Sequence, residues 1–149
     1  MKRHTSLEPF SRDHNDGLSL ARKLQEDRPG ALLEFRAAWE QELKDHFDEE
    51  ERLLGPLCSE FELARLTNEH GEIRKLGFSA EPDVPLLGRL LHDHIRWEER
   101  MLFPALESRS SPEQLKAVQE EVETLERRRW PHDDQRMRLV QKRWGQDGP

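Results

Sequence analysis

Apolar residues recur every three or four positions along most of this chain, which is the spacing of one face of a helix. This periodicity, together with residues that break or cap helices, predicts helices only and no convincing strand. The expected helices cover residues 11–28, 31–54, 59–76, 84–103 and 111–129. The tail, 132–149, has an ambiguous pattern that fits a short helix ending at a glycine.

Capping and breaking residues set the expected ends of these helices. Ser11 is the expected N-cap of the first helix, and Ser111 followed by proline opens the fifth. Gly77 stands where a C-terminal cap of the third helix belongs. Pro104 should bend or stop the fourth helix, because proline lacks the backbone N–H that a helix interior needs.

Short connections between the first four helices require each helix to run antiparallel to the one before it. The predicted fold is therefore all-α, an up-down-up-down four-helix bundle over about 10–107 with an additional C-terminal helix and tail, 108–149. That fifth helix should lie against the outside of the bundle or cap one end. A chain of 149 residues has the usual size of one domain, so we expect 1–149 to form a single domain.

Composition narrows the class of protein. Charged residues make up 37% of the chain and hydrophobic residues 34%, which favours amphipathic helices with charged outer faces. The net charge of −7 argues against a nucleic-acid partner, since phosphate binding draws on clustered lysine and arginine. The basic run Arg127-Arg128-Arg129 follows several glutamates on the same helix and is interpreted as part of a solvated face.

The cellular location is predicted from the lack of membrane-spanning, signal-peptide and disulfide signals in the sequence. No apolar run approaches the length of a membrane span, and the first residues carry no apolar signal-peptide segment. The single cysteine, Cys58, excludes an internal disulfide and a cysteine-built metal site. We therefore expect a soluble, cytoplasmic protein with no membrane partner.

Each of the four predicted bundle helices carries one histidine on its apolar face. These are His14, His46, His70 and His94, and the second and fourth are followed one turn later by Glu50 and Glu98. At about 1.5 Å of rise per residue, the positions of the four histidines along their helices bring them to one layer of the core.

Burying two carboxylates costs several kcal/mol per ion without compensation, and no lysine or arginine lies on these inner faces. Imidazoles and carboxylates form a ligand set suited to iron, manganese or zinc, and carboxylates can bridge two metal ions. We therefore predict a metal site built from His14, His46, Glu50, His70, His94 and Glu98. The alternative is a polar core layer in which all six groups satisfy one another by hydrogen bonds.

Residues beside the predicted ligands have two interpretations. Glu49, Glu69 and Glu99 could hydrogen-bond to the ligands or relay protons, but the helical turn of about 100° per residue favours solvated positions. Phe47, Trp97, Met101 and Leu18 are near enough in sequence to roof the metal layer, with ordinary core packing as the favoured interpretation. His4, His92 and His132 are expected at the surface.

Four stretches together resemble the hemerythrin-like domains of the H…HxxxE…H…HxxxE type. They are Arg12-Asp-His14, His46-Phe-Asp-Glu-Glu50, Asn68-Glu-His70-Gly-Glu-Ile-Arg74 and His94-Ile-Arg-Trp-Glu-Glu-Arg-Met-Leu-Phe-Pro104, and the resemblance covers about residues 10–107. The family implies a four-helix bundle that holds two iron ions, bridged by two carboxylates and an oxo or hydroxo group. The six residues predicted above would be the ligands.

The resemblance departs from the oxygen-carrying hemerythrins at Arg74, where they have a second histidine on the third helix. Four histidines should leave positions open for solvent or a small ligand, as in the bacterial relatives linked to nitric oxide, peroxide and iron-centre repair. Some family members use a carboxylate five residues after the fourth-helix histidine, so the part played by Glu99 stays open.

The implied function is that of a non-haem di-iron protein that binds, senses or reduces a small oxidant, namely dioxygen, peroxide or nitric oxide. Whether it is an enzyme stays open, and no residue is assigned a catalytic role. One alternative is an iron or redox sensor, or an iron donor, that acts through a protein partner without turnover. Another alternative is a metal-free helical scaffold.

Overall fold

The computed structural model describes residues 3–129, and the regular secondary structure of this part of the chain is helical, without strands. Helix α1 is Glu8–Gln25, α2 covers 31–54, α3 is Glu60–Gly77, α4 covers 84–109 and α5 is Pro112–Arg129. A short 3-10 turn, Gly55–Leu57, follows α2. The predicted all-α class is confirmed for the described residues, and none of their helices is long and apolar enough to cross a membrane. The predicted tail, 132–149, lies outside them.

Both ends of α3 and the start of α5 agree with the predicted positions to within one residue. Ser59 caps α3 through a reciprocal pair, in which Glu62 N–H donates to Ser59 Oγ at 3.1 Å and Ser59 N–H donates to Glu62 Oε1 at 2.8 Å. Ser111 and Gln114 make the same exchange at the start of α5.

Two predicted caps are wrong. Helix α1 begins at Glu8 rather than after Ser11, because Pro9 fits the first turn, where its missing N–H costs no hydrogen bond. The helix also ends at Gln25, three residues before the predicted end at Arg28. Gly77 is the last residue of α3 rather than a left-handed cap. Its missing side chain makes room for the Phe35 ring, which a Cβ atom there would strike.

Three turns of π-helix interrupt α2 and α4, at Trp39–Leu43, Glu50–Leu54 and Glu98–Leu102. A π turn holds more residues than an α turn, so it rotates every later side chain around the helix. Leu102 is therefore buried, with 1% of its surface exposed, where the periodicity predicted an inward Met101. Met101 is 64% exposed, and its predicted inward position is wrong.

Helix α4 also continues through Pro104 to Arg109, so of the two predicted effects of the proline, a bend or a stop, the stop is wrong. Within the preceding π turn Phe103 N–H bonds to the carbonyl of Glu98, five residues back. The same pattern would pair Pro104 with the carbonyl of Glu99, but proline has no N–H to donate. The Arg3 side chain supplies a donor instead, with Nη2 at 2.8 Å from the Glu99 carbonyl oxygen.

The core consists of two apolar clusters that follow one another along each of the helices α1 to α4. The first cluster includes Leu20, Leu24, Phe35, Trp39, Ile73, Leu87 and Leu91. The second cluster includes Leu7, Phe10, Leu54, Leu66, Leu102, Phe103, Val118 and Val122. Helix α5 contributes two valines to the second cluster and contacts the Glu50–Leu54 turn, so it packs against this end of the core.

Helices α1 and α4 approach each other closely at two glycines. A Cβ atom on Gly88 would lie 2.6 Å from the carbonyl oxygen of Ala21, and one on Gly17 would lie 2.7 Å from Ile95 Cδ1. Because Gly17 and Ile95 are near His14 and His94 in sequence, this close contact reaches the level of the predicted ligands.

Candidate metal centre

All six predicted ligand residues are buried and lie between the two apolar clusters. His14, His46, His70 and His94 come from four different helices, and Glu50 and Glu98 have no exposed surface. In α1 and α3 the second cluster precedes the histidine and the first cluster follows it. In α2 and α4 that order is reversed, so the polar layer is enclosed by apolar side chains at both ends.

The two His-x-x-x-Glu pairs are positioned by local helical geometry. Residues four apart project from the same side of a helix, which brings His46 Nε2 to 3.2 Å from Glu50 Oε2 and His94 Nε2 to 2.5 Å from Glu98 Oε1. Each glutamate also opens a π turn. In both α2 and α4, one imidazole nitrogen and one carboxylate oxygen therefore lie close together on the inner face of the helix.

The ligand atoms form two groups that share both glutamates. One group contains His14, His46, Glu50 and Glu98, and the other contains Glu50, His70, His94 and Glu98. Within each group the candidate ligand atoms all lie within 4.8 Å of one another. Each group could therefore hold a metal ion.

The oxygens of each glutamate divide between these two groups. Glu50 directs Oε2 at His46 and Oε1 at His70, the second at 3.1 Å from Nε2. Glu98 directs Oε1 at His94 and Oε2 at His14, the second at 3.0 Å from Nε2. Each glutamate therefore offers one oxygen to each group, so both carboxylates could be shared by two metal ions.

No family model, curated protein or solved structure matches this chain. The interpretation of the site therefore rests on its own geometry. That geometry shows two buried histidine and glutamate groups that could hold metal ions, and it leaves the identity of the metal open.

The outer nitrogen of every ligand histidine donates to a carboxylate. The Nδ1 atom of His14 is 2.7 Å from Glu99, that of His46 is 3.1 Å from Asp13, that of His70 is 2.8 Å from Glu51, and that of His94 is 2.8 Å from Glu69. These bonds fix each ring so that Nε2 faces the centre.

The structure corrects the solvated positions expected for Glu69 and Glu99, because both carboxylates bond to ligand histidines. Glu49 is half-buried and is not among these four partners. The hydrogen bonds of Asp13 and Glu51 to ligand histidines were not predicted from the sequence. Each of the four partners is next in sequence to one candidate ligand but bonds to a ligand histidine on another helix. The only sequence signal for these hydrogen bonds is therefore an acidic residue beside a predicted ligand.

The carboxylates raise the pKa of the buried imidazoles. Burial lowers the pKa of His14, but the nearby Glu98 carboxylate and the hydrogen bond with Glu99 outweigh it and raise the value to about 9. Burial likewise lowers the pKa of His94, and the charge of Glu98 with the Glu69 bond raises it to about 10. Without a metal ion, protons on the imidazoles therefore supply the positive charge.

Four buried atoms of the centre still have no hydrogen-bond partner. They are Glu50 Oε2, both carboxylate oxygens of Glu98 and His94 Nε2. The contact between Glu98 Oε1 and His94 Nε2 is close but lacks hydrogen-bond geometry. Unpaired buried polar atoms are costly, and bound cations would satisfy all four. The residues present therefore fit a metal centre better than a self-satisfied polar core layer.

Aromatic rings enclose the histidines. Phe47 stacks on His70 with ring centroids 3.9 Å apart, and Phe103 stacks on His14 at 5.6 Å. Trp97 is buried beside His94. Of the residues predicted as a roof, Phe47 and Trp97 contact ligand histidines, Leu18 packs on the first cluster, and Met101 is exposed. Phe103 was missed, since the π turn before it changes which side chains face inward.

The remaining histidines behave as expected where they are described. His4 is exposed and His92 is partly exposed, while His132 lies outside the described residues. Arg74, which occupies the place of the additional histidine in oxygen carriers, is exposed.

Proposed function

We propose that this chain is a hemerythrin-like, non-haem di-iron protein that binds or reduces a small oxidant such as dioxygen, peroxide or nitric oxide. The observation that carries the proposal is the pair of ligand groups that share Glu50 and Glu98 between them. Two histidines per group and two shared carboxylates match the ligand set that the sequence resemblance implies. Iron bound there would supply electrons and open coordination positions for the oxidant.

The fold we propose for this function is an up-down-up-down four-helix bundle. Its support is the order of the two apolar clusters, which alternates from one helix to the next along α1, α2, α3 and α4. Four helices that alternate in direction can present one histidine each at the same level. Nitrogen and oxygen ligands also suit manganese and zinc, so iron is the first metal to test.

The chain's own residues would have three tasks in this function. The carboxylates on the outer nitrogens hold the imidazole rings in place and keep each Nε2 free to bind metal. The Phe47 and Phe103 rings exclude water from His70 and His14, which protects a reactive centre. An arginine at position 74 in place of a fifth histidine leaves room in the ligand set for a small molecule.

Anaerobic reconstitution with ferrous iron tests the proposal. We expect about two iron ions per chain, as for a two-metal centre, and new near-ultraviolet and visible absorption when oxygen, peroxide or nitric oxide is added. A matched pair of variants distinguishes the loss of a metal-binding histidine from the loss of any histidine on the same helix. His94→Ala should lower iron content, whereas His92→Ala removes a partly exposed histidine of the same helix and should load like wild type. Equal loading of the two variants would contradict the proposal.

A second candidate is a metal or redox sensor read by a partner protein, and one feature of α5 favours it. This helix contacts the Glu50–Leu54 turn, and its Glu126 lies 3.7 Å from Arg12, the neighbour of Asp13 in α1. Asp13 in turn bonds to His46. Hydrogen exchange of α5 amides with and without ferrous iron would test it. Changed protection without turnover of peroxide or nitric oxide would favour the sensor, and unchanged protection would exclude it.

A further inference from the structure

We propose that Arg3 and Arg65 are positioning residues, each of which fixes the hydrogen-bond partner of one histidine and so controls one of the two metal positions. The inference rests on the proposed metal centre. Two arginines outside that centre would each affect metal binding at a different one of its two ligand groups.

Arg3 reaches the centre through Glu99. Its Nη2 atom donates to Glu99 Oε2 at 2.9 Å, and the other oxygen of Glu99 accepts from His14 Nδ1 at 2.7 Å. The guanidinium also lies 5.5 Å from the centre of the Phe103 ring, which stacks on His14. Arg3 therefore supports His14 through a carboxylate and through an aromatic ring.

The backbone of Glu99 depends on the same arginine. Pro104 leaves the Glu99 carbonyl without its helical donor, and Arg3 Nη2 supplies one at 2.8 Å. One guanidinium thus restrains both the main chain and the side chain of Glu99. A guanidinium presents several donors in a rigid plane, which a lysine ammonium cannot reproduce in the same geometry.

Arg65 makes the corresponding connection on the other side of the centre. Its Nε atom donates to Glu69 Oε2 at 2.9 Å, and Glu69 Oε1 accepts from His94 Nδ1 at 2.8 Å. The guanidinium lies 4.6 Å from the centre of the Trp97 ring, which is beside His94. Arginine, glutamate and histidine follow one another here as they do from Arg3 to His14.

The two connections end in different ligand groups. His14 belongs to the group with His46, and His94 belongs to the group with His70. Loss of either arginine frees one glutamate to turn toward solvent, which leaves one imidazole less firmly oriented. Changes to such outer partners typically weaken metal binding by about 10-fold to 100-fold.

The two effects should differ in size. Arg3 is 20% exposed and comes from a separate segment of chain, whereas Arg65 is 41% exposed and pairs with Glu69 one turn away on α3. Water screens the more exposed pair, so its loss changes less. We expect removal of Arg3 to weaken one metal position about tenfold and removal of Arg65 to weaken the other about threefold.

Zinc titration of the full chain tests the inference. Wild type, Arg3→Gln and Arg65→Gln would be compared with Arg28→Gln, which removes an exposed arginine paired with Glu26 beyond the end of α1. Calorimetry gives the two stepwise dissociation constants. Nitrogen-15 spectra of the imidazoles in the zinc-loaded protein report each ring separately.

The expected result is selective. Arg3→Gln weakens one binding step and changes the His14 Nδ1–H signal, Arg65→Gln weakens the other step and changes the His94 signal, and Arg28→Gln matches wild type. A role limited to general stability would not select one imidazole. If Arg3→Gln does not fold, Arg3→Lys should show a smaller change at the same ring.

Two outcomes would overturn the inference while the metal centre stands. In one, wild type binds two zinc ions and neither arginine variant alters a binding step or a ring signal. In the other, each variant weakens both steps equally. Wild-type protein that binds no zinc would instead overturn the proposed centre itself.

Discussion

Glu98 is a ligand candidate in both groups, so its replacement should remove more metal binding than the replacement of any one histidine. Glu98→Gln keeps the size of the side chain but removes the charge and one oxygen. His46→Gln is the matched variant, because His46 belongs to one group only. Both side chains are buried.

The expected magnitude follows from linkage between binding and folding. An ion present at 100 times its dissociation constant stabilises the folded state by about 2.7 kcal/mol per site, or about 5 kcal/mol for two sites. A domain of this size gains roughly 3 °C in Tm per kcal/mol, so saturating metal should raise the Tm of wild type by about 15 °C. Glu98→Gln should lose most of this rise, and His46→Gln about half.

The assay is thermal unfolding of each variant with and without zinc, with stoichiometry from calorimetry. Each variant is compared with its own metal-free form, so a change in basal stability does not enter. Two zinc ions bound by Glu98→Gln with undiminished stabilisation would refute the shared-ligand reasoning. Equal losses in the two variants would refute the division of the centre into two groups.

Three further predictions concern protons, packing and the thiol. Because the pKa values of His14 and His94 are about 9 and about 10, metal uptake at pH 7 should release protons, seen as buffer-dependent binding enthalpy. In the metal-free protein the protonated imidazoles contribute their full stabilisation of the fold below about pH 6.5. Urea titrations should show this part of the unfolding free energy being lost as pH rises through 9 to 10. Gly88→Ala should cost about 1–3 kcal/mol by urea unfolding, since its Cβ atom would strike α1. Gly71→Ala meets nothing within 4 Å and should stabilise by up to about 1 kcal/mol; a loss there as large as at Gly88 would contradict the packing argument. Burial raises the pKa of the Cys58 thiol to about 11, so thiol reagents should react slowly at pH 8 until denaturant is added.

The sequence predicted the helices best where chemistry is local. Ser59 and Ser111 mark the starts of α3 and α5 because their capping partners lie three residues away. The continuation of α4 past Pro104 could not be predicted, since the Glu99 carbonyl that the proline leaves without a helical donor is bonded by Arg3, which is distant in the chain. The exposure of Met101 could not be predicted either, because a π turn breaks the periodicity on which the prediction rested.

The same distinction holds for the candidate centre. His46 and Glu50 could be paired from their spacing, and the six candidate ligands are brought together as that spacing indicated. The carboxylates on the outer nitrogens could not be assigned, because each bonds across to another helix. Asp13, for example, neighbours His14 in sequence but bonds to His46.

The contact of α1 with α4 at Gly88 is made by backbone atoms, which cannot repack as side chains do. The separation of α1 and α4, which carry His14 and His94, is therefore set by the scaffold before any ion arrives. Calcium prefers six to eight oxygen ligands at about 2.3–2.6 Å, whereas this centre offers imidazole nitrogens and two carboxylates. Zinc bonds such ligands at about 2.0–2.2 Å, which suits closely spaced helices better. The close contact at Gly88 would thus favour metal ions of small radius.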